Sequence, residues 1–195
     1  NFSARSSLMQ FYLQAPGFVG GGKDRAKDLI VETIKISPSA GALLQASLDL
    51  YEDNFDRASS VALAVNTSQS ESLAKHQRNV LSNIGHALIS EKKMAQAEKI
   101  FQELCQRFPD SIHGFYGLGK TLQEQGKVKD ALPHLEKSLA IEANANVLYR
   151  LGKAWQSLGD KVKAIAAFEK ALSFKPELAK KTKADAEEQL KALRG

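Results

Sequence analysis

One pattern of small residues recurs three times in this sequence, at intervals of 33 and 34 residues. Its glycines are Gly85, Gly119 and Gly152, and each is followed at the same distance by an alanine: Ala97, Ala131 and Ala164. A period of this length is typical of linear repeat arrays, in which each unit packs only against its neighbours. The sequence therefore predicts a stack of small units.

Each copy of the pattern predicts two helices joined by a short turn. In the last copy, Leu148, Leu151 and Trp155 follow the i, i+3, i+7 spacing of a helix. A turn at residues 159–160 then leads into a second set of residues with helical spacing. Proline cannot continue a helix, so Pro176 marks where this second helix ends.

The pattern over residues 78–176 resembles the tetratricopeptide repeat, a helix–turn–helix unit of 34 residues. That repeat has small, aromatic and proline residues at fixed offsets, matched here by Gly152, Ala164, Phe168 and Pro176. The resemblance implies an all-α fold, a right-handed superhelix of antiparallel helix pairs. It also implies a scaffold that binds other proteins and has no catalytic activity.

The pattern weakens toward the amino terminus but still suggests a division of the chain. We predict a repeat array over residues 1–176, with units at 2–38, 39–77, 78–111, 112–144 and 145–176. Pro38 is expected to end the first unit, and Leu43 to begin the first helix of the second. Residues 68–71 resemble a capping box, which would start the next helix early.

Residues 177–195 are rich in alanine, lysine and glutamate, with a narrow apolar stripe of Leu178, Ala186, Leu190 and Leu193. A repeat array needs an end unit with a polar outer face, so we predict a C-terminal capping helix. A basic tail for nucleic acid is the alternative. The segment carries five Lys/Arg against four Asp/Glu, which favours the capping helix and no nucleic-acid partner.

A glycine-rich turn at residues 17–23 has the G-x-x-x-x-G-K spacing of a phosphate-binding loop. Such a loop needs a serine or threonine next and a strand before it, whereas Asp24 follows here and the preceding segment is helical in pattern. We predict an inserted turn ahead of a helix that starts near Lys23. Nucleotide binding stays as a weaker alternative, and Phe18 and Val19 at the tip of the turn are candidate partner contacts.

Composition argues against metal and nucleophilic chemistry. The single cysteine, Cys105, excludes a multi-cysteine zinc site, and the four histidines have no metal-binding spacing. Cys105 lies between apolar residues, and we expect it to be a half-buried side chain that serves packing. We predict no catalytic residue, cofactor or metal. No apolar run reaches the length of roughly eighteen residues that a membrane span needs.

In the resembled family, four positions on one face of each first helix line a concave groove. In the last three units these positions imply a peptide-binding groove, with Arg150 beside it, formed by Asn79, Ser82, His86, Ile89, His113, Tyr116, Lys120, Gln123, Asn146, Tyr149, Lys153 and Gln156. Tyrosines supply rigid contact area and amides bond an extended backbone. Of the residues that clamp the carboxyl terminus of heat-shock chaperones in one subclass, only Arg150 is matched, so a chaperone clamp is not expected.

The formal net charge of +5 lies entirely in residues 99–195, since residues 1–98 are neutral overall. The basic half includes Lys120, Arg150 and Lys153, which predicts acidic or carboxylate-bearing peptide partners whose binding weakens with salt.

The alternative function is a structural segment of a longer solenoid that self-associates through its N-terminal end, where Phe2, Leu8 and Phe11 would leave apolar surface. The chain starts without methionine, and its glycine-rich turn resembles one in small bacterial repeat proteins that carry secretory signals. The bacterial periplasm is therefore the favoured location, with the cytoplasm as the alternative.

Overall fold

The computed structural model describes residues 2–68 and 70–195. Those residues form eleven α-helices and one short 3-10 turn, and they include no β-strand. The chain divides into two compact units, an N-terminal unit of Asn1–Leu88 and a C-terminal unit of Ile89–Gly195. None of the described helices combines the length and the apolar character that a membrane span requires.

The N-terminal unit consists of paired helices that share an apolar core. Its elements are α1 (Phe2–Gln14), the 3-10 turn (Gly17–Val19), α2 (Lys23–Ile36), α3 (Pro38–Tyr51), α4 (Phe55–Ala64) and α5 (Glu71–Ser90), which continues past the unit boundary. The core of α1, α2 and α3 is formed by Met9, Ala26, Leu29, Ile30, Leu44 and Leu48. Apolar residues every three or four positions place one face of each helix in this core.

The boundary between α2 and α3 differs from the sequence prediction. Pro38 is the first residue of α3, and the Ser37 hydroxyl caps that helix by accepting a hydrogen bond from the Ala40 amide at 3.3 Å. Placing Pro38 at the end of the preceding helix and starting α3 at Leu43 was wrong. A proline fits the first turn of a helix because the amide hydrogen it lacks has no partner there.

The start of α5 is early, as the serine-rich segment before it predicted. The helix begins at Glu71, and the Ser70 hydroxyl accepts a hydrogen bond from the Leu73 amide at 3.3 Å. The capping side chain is therefore Ser70, whereas the predicted box began at Ser68. The box also contains Gln69, which lies outside the described residues.

A buried glutamine joins α5 to the end of α4. Gln77 is 1% exposed, and its side-chain amide donates hydrogen bonds to the carbonyl oxygens of Ala62 at 2.8 Å and Val65 at 2.7 Å. The Thr67 hydroxyl donates to the Gln77 carbonyl oxygen at 3.1 Å. Gln77 thus satisfies backbone groups that the end of a helix leaves without partners.

The C-terminal unit contains six further helices in antiparallel sequence. They are α6 (Met94–Arg107), α7 (Ile112–Glu124), α8 (Val128–Ile141), α9 (Ala145–Ser157), α10 (Lys161–Ser173) and α11 (Lys180–Arg194). Two of the turns between them use glycines in the left-handed region, Gly126 at φ 77° and Gly159 at φ 80°. Glycine reaches this region without the steric cost that a Cβ imposes.

Glycines allow helices of the C-terminal unit to approach closely. A Cβ on Gly152 would lie 2.7 Å from the ring of Phe168, and a Cβ on Gly117 would lie 2.0 Å from the ring of Phe101. Both phenylalanines are fully buried. Gly152 therefore lies where α9 and α10 cross closely, beside Phe168.

The last helix packs its apolar stripe on the preceding pair. Ala186 and Leu190 of α11 belong to the same buried cluster as Phe168 of α10. The helix begins at Lys180, three residues after the predicted start at residue 177, so the buried Leu178 lies in the connection before it. A C-terminal helix that covers the end of the apolar core is thus present as predicted.

Candidate functional site

A cleft lies on one side of the N-terminal unit between α1, α3 and α5. Its volume is about 420 Å³. The lining consists of hydroxyl, amide, imidazole and apolar side chains: Ser3, Ser6, Ser7, Met9, Gln10, Leu13, Gln14, Ser47, Leu50, Tyr51, His76, Asn79, Val80 and Asn83. No Asp, Glu, Lys or Arg is among these lining residues, so the surface of the cleft has hydrogen-bonding groups without fixed charge.

Among the described residues that line this cleft, His76 is the one histidine. The ring packs edge-on against Phe2, with 4.4 Å between ring centroids. Burial, with a smaller contribution from the Lys75 charge, lowers the pKa of His76 below its ordinary value. The imidazole is therefore neutral at neutral pH, which keeps the cleft uncharged.

Of the predicted groove residues on α5, only some lie at the surface of the cleft. Asn79 lines the cleft, whereas Ser82 is only 6% exposed and Ile89 is buried. His86 is half-buried and is not part of the cleft lining. Sequence reasoning missed Asn83, which follows Asn79 by one helical turn and therefore shares its face.

In the C-terminal unit, α7 and α9 are joined through two predicted groove residues. The Gln123 side-chain amide donates a hydrogen bond to the Arg150 carbonyl oxygen at 2.8 Å. The Arg150 guanidinium forms an ion pair with Glu124 at 2.9 Å. These contacts bring the Gln123 and Arg150 positions together on adjacent helices.

The predicted groove residues of α9 contact α11 of the same chain. The Tyr149 hydroxyl donates a hydrogen bond to the Asp185 carboxylate at 2.5 Å, and Lys153 lies 3.7 Å from the same carboxylate. Gln156 donates to the Gln189 side-chain oxygen at 2.8 Å. The predicted groove side of α9 is therefore partly occupied by hydrogen bonds and an ion pair to α11.

The Tyr149 and Asp185 side chains shift each other's ionisation. Burial, followed by the hydrogen bond to Asp185, raises the pKa of Tyr149. The same hydrogen bond is the largest cause that lowers the pKa of Asp185. Tyr149 is therefore a neutral donor and Asp185 a carboxylate at neutral pH.

Lys120 stands out among the predicted lysines because no described carboxylate lies within ion-pair distance of it. It is half-buried, and its pKa is lowered by burial first and by the Arg150 charge second, while Glu124 acts in the opposite direction. The remaining predicted positions stay at the surface: His113 and Tyr116 are half-buried, and Asn146 is exposed. Lys120 beside Arg150 is thus a place where an added carboxylate would be favoured.

The backbone of the glycine-rich turn is bonded within the protein. The amides of Gly20, Gly21 and Gly22 donate to the carbonyl oxygens of Gly17, Pro16 and Tyr12 at 3.0, 3.2 and 2.8 Å. A phosphate-binding loop instead points its amides at the ligand. Helix α1, not a strand, precedes the turn, and both features disfavour the nucleotide interpretation.

Two apolar side chains stand at the tip of this turn. Phe18 is 91% exposed and Val19 is 51% exposed. The Arg25 guanidinium donates a hydrogen bond to the Gly20 carbonyl oxygen at 2.7 Å, which ties the turn to the first part of α2. The predicted partner-contact residues therefore lie at the surface, on a backbone that is held by hydrogen bonds within the protein.

Cys105 lies half-buried on α6, as predicted. Burial raises the pKa of its thiol to about 11, so the thiolate is scarce at neutral pH. Among the described residues, no group of three or more His, Cys, Asp or Glu side chains is placed to hold a metal ion.

Two segments of the chain match family models of the tetratricopeptide repeat, residues 80–111 and residues 145–178. These two segments of the chain are therefore tetratricopeptide repeats, as the repeated glycine and alanine positions predicted. Proteins of this family are in general non-catalytic scaffolds for protein–protein interaction. No curated protein sequence gives a significant match to the chain.

Solved structures with the same fold span most of the chain. Among them, pilF of Pseudomonas aeruginosa has a TM-score of 0.67 at 18% identity, covering 98% of this chain and 88% of its own. YrrB, a TPR protein with an unusual peptide-binding site, has a TM-score of 0.61 at 17% identity, covering 84% and 81%. A thermophilic TPR protein of Thermus thermophilus, TTC0263, has a TM-score of 0.57 at 18% identity, covering 97% and 98%. These similarities confirm the all-α solenoid fold class.

Proposed function

We propose that the protein is a non-catalytic scaffold that binds an extended, largely uncharged segment of a partner protein in the cleft between α1, α3 and α5. The supporting observation is the cleft itself, about 420 Å³ in volume and lined by hydroxyl and amide groups without a charged side chain. This volume lies in the range of roughly 300–1,000 Å³ that is usual for ligand pockets.

The lining matches what an extended peptide offers. An extended backbone presents an amide donor and a carbonyl acceptor at every residue, and the Asn79 and Asn83 side chains can bond to both. The half-buried Leu13 and Leu50 supply apolar contact for a side chain of the peptide. Since no charge takes part, binding in the cleft is expected to change little with salt concentration.

A second proposed contact lies in the C-terminal unit, where Lys120 and Arg150 face one carboxylate, Glu124. A carboxylate in the partner would neutralise the remaining positive charge there. This contact agrees with the acidic partner predicted from the sequence, and its strength is expected to fall as salt concentration rises.

The experiment uses random linear peptides displayed and selected for binding to the full chain. Selected peptides are then measured by fluorescence anisotropy with the wild type and with Asn79→Ala/Asn83→Ala. We expect the double substitution to weaken uncharged peptides at least tenfold, about 1.4 kcal/mol. Lys129→Ala, an exposed residue of α8, is the matched control and is expected to change nothing.

A second variant, Lys120→Glu, separates the two contacts. This variant should weaken the binding of acidic peptides in a salt-dependent manner and leave the binding of uncharged peptides unchanged. If the Asn79/Asn83 variant binds every selected peptide like the wild type, the cleft is not the binding site. If Lys120→Glu binds acidic peptides as tightly as the wild type does, the second contact is excluded.

The tip of the glycine-rich turn is the third proposed contact, because Phe18 and Val19 expose apolar surface on a bonded backbone. Phe18→Ser/Val19→Ser tests it with the same selected peptides. A loss of at least threefold in affinity supports a role for the tip, and unchanged affinity for every peptide rules out that role in peptide binding.

A further inference from the structure

The last helix, α11, places one carboxylate oxygen between two donors of α9. The Tyr149 hydroxyl donates a hydrogen bond to Asp185 Oδ2 at 2.5 Å, and Lys153 Nζ lies 3.7 Å from the same oxygen. Tyr149 and Lys153 are one helical turn apart and therefore lie on the same face of α9. These two side chains thus form a carboxylate subsite, which a residue of the chain itself occupies.

The occupying carboxylate is held in one orientation. Its other oxygen, Asp185 Oδ1, accepts a hydrogen bond from the Gln189 side-chain amide at 3.4 Å. The Gln189 side-chain oxygen in turn accepts a hydrogen bond from Gln156 at 2.8 Å. The row of α9 residues on this face is therefore matched, turn by turn, by a row of α11 residues.

Helix α11 is attached to the core by its apolar side and not by Asp185. Ala186 and Leu190 lie in the buried cluster that contains Phe168. The side chains of Asp185 and Lys153, by contrast, are each 36% exposed. The Asp185 carboxylate can therefore leave the subsite by a change of side-chain rotamer, while α11 keeps its place in the core.

The strength of this internal contact allows exchange with a carboxylate of another molecule. Exposed ion pairs contribute little to stability because water solvates both charges. An external carboxylate would make the same bonds to Tyr149 and Lys153 and would release Asp185 to solvent. Asp185 is tethered to the subsite, however, and a tethered group has an effective concentration in the millimolar range. A single carboxylate in solution is therefore displaced by Asp185, whereas one on a segment that is already bound nearby competes with it.

The acidic contact proposed above lies beside this subsite. Arg150 comes three residues before Lys153 and is its neighbour on the surface of α9. Burial first and the Arg150 charge second lower the pKa of Lys120, so the two cations are close enough to repel each other. A segment whose first carboxylate binds at Lys120 and Arg150 would bring its next carboxylates toward Lys153.

We propose that Asp185 determines specificity in the C-terminal unit, because it closes the Tyr149–Lys153 subsite to partner segments that carry a single carboxylate. A segment with a run of acidic side chains binds at Lys120 and Arg150, displaces Asp185 and gains the subsite. The proposal rests on the acidic contact of the proposed function. It adds that α11 sets how many carboxylates a partner needs.

The probes are two labelled peptides of about eight residues, built from serine and glycine, with either one central aspartate or a run of four. Both are acetylated and amidated, so that aspartate side chains are their only carboxylates. Binding to the full chain at low salt is measured by fluorescence anisotropy. We expect Asp185→Ala to increase the affinity for the four-aspartate peptide by about fivefold, since an ion pair becomes available without competition.

Two matched substitutions separate this effect from a general change in charge. Glu188→Ala removes an exposed carboxylate from the same helix and should change the affinity less than twofold. Asp185→Ala/Lys153→Gln should lose the gain of Asp185→Ala. In the wild-type background, Lys153→Gln should weaken the four-aspartate peptide and leave the one-aspartate peptide as the exposed control Lys191→Gln does.

Asp185→Asn is the second variant, since it keeps the side-chain volume and an acceptor for Tyr149 while it removes the charge. We expect its gain to be smaller than that of Asp185→Ala, and circular dichroism checks that both variants remain folded. Unchanged affinity of both variants for the four-aspartate peptide, an equal gain with Glu188→Ala, or a gain that survives Lys153→Gln would overturn the proposal.

Failure of the acidic contact itself gives a different result. In that case Lys120→Glu leaves the binding of both peptides unchanged in the wild-type background. A gain with Asp185→Ala that depends on Lys153 would then still support the occupied subsite, although the Lys120 contact is lost from the proposed function.

Discussion

The hydroxyl of Tyr149 donates a hydrogen bond to the carboxylate of Asp185 at 2.5 Å and so connects α9 with the last helix, α11. Lys153 lies 3.7 Å from the same carboxylate. Tyr149 and Lys153 were predicted to face a ligand, and in the structure a neighbouring helix of the same chain supplies the acidic group.

Replacing Asp185 by asparagine is expected to reduce the free energy of unfolding by about 1 kcal/mol at pH 7. Hydrogen bonds to charged groups contribute about 1.5–3 kcal/mol, and the partial exposure of Asp185 reduces that contribution. Urea denaturation followed by circular dichroism measures the change.

For the same variant, we expect the loss of stability relative to the wild type to depend on pH. The folded state lowers the pKa of Asp185, chiefly through the Tyr149 hydrogen bond. Its contribution is therefore complete above the unfolded pKa of about 3.9 and is lost as pH falls through the folded pKa. The stability difference between wild type and Asp185→Asn should disappear in acid. A constant difference from pH 7 to pH 2, or an equal effect of the control Glu188→Gln, would contradict this assignment.

Replacing Gln77 by alanine is expected to destabilise the N-terminal unit by about 3 kcal/mol. The substitution leaves the carbonyl oxygens of Ala62 and Val65 without their donor, and an unsatisfied buried group costs about 1–3 kcal/mol. Amide hydrogen exchange of α4 should accelerate because its end is no longer attached to α5. The exposed Gln106→Ala is the control, and equal exchange in both variants would show that the Gln77 contacts are unimportant.

Replacing Gly117 by alanine is expected to cost about 1–3 kcal/mol, since a Cβ there would lie 2.0 Å from the buried ring of Phe101. Gly17→Ala is the matched substitution, because a Cβ at Gly17 has no atom within 4 Å. Thermal unfolding of the two variants should differ accordingly. Equal melting temperatures would mean that α6 and α7 have room for the added methyl group.

Cys105 should react slowly with thiol reagents. With a pKa of about 11, roughly one thousandth of the thiol is ionised at pH 8, and the thiolate is the reactive form. We expect modification by Ellman's reagent to be at least tenfold slower in the folded protein than in the urea-unfolded protein at the same pH. Similar rates in both states would show that burial does not protect this side chain.

The repeat could be predicted from sequence because its small residues are dictated by close contacts. Gly152 lies against Phe168, and Gly119 lies against Leu135, so these positions tolerate few residue types and form a visible period. Pro38 was assigned to the wrong helix because a proline fits both after the end of one helix and in the first turn of the next.

The candidate site was less predictable, because the exposed side of a helix depends on where that helix starts. Asn79 was identified, but Ser82 is buried, and Asn83 faces the cleft in its place. The bonds of Tyr149 and Gln156 to α11 join residues far apart in sequence. Phe2 was expected to be exposed with Leu8 and Phe11, but it packs against His76 and the core of its unit.

The hydrogen-bonded backbone beneath Phe18 has a thermodynamic consequence for any partner that covers this side chain. Because the turn is already ordered, association there would immobilise the side chain alone, at an entropic cost of about 0.5–1.5 kcal/mol. Full burial of a phenylalanine returns about 1.5–3 kcal/mol. A single aromatic ring on a preorganised turn can therefore give a net gain in affinity without any change in the shape of the protein.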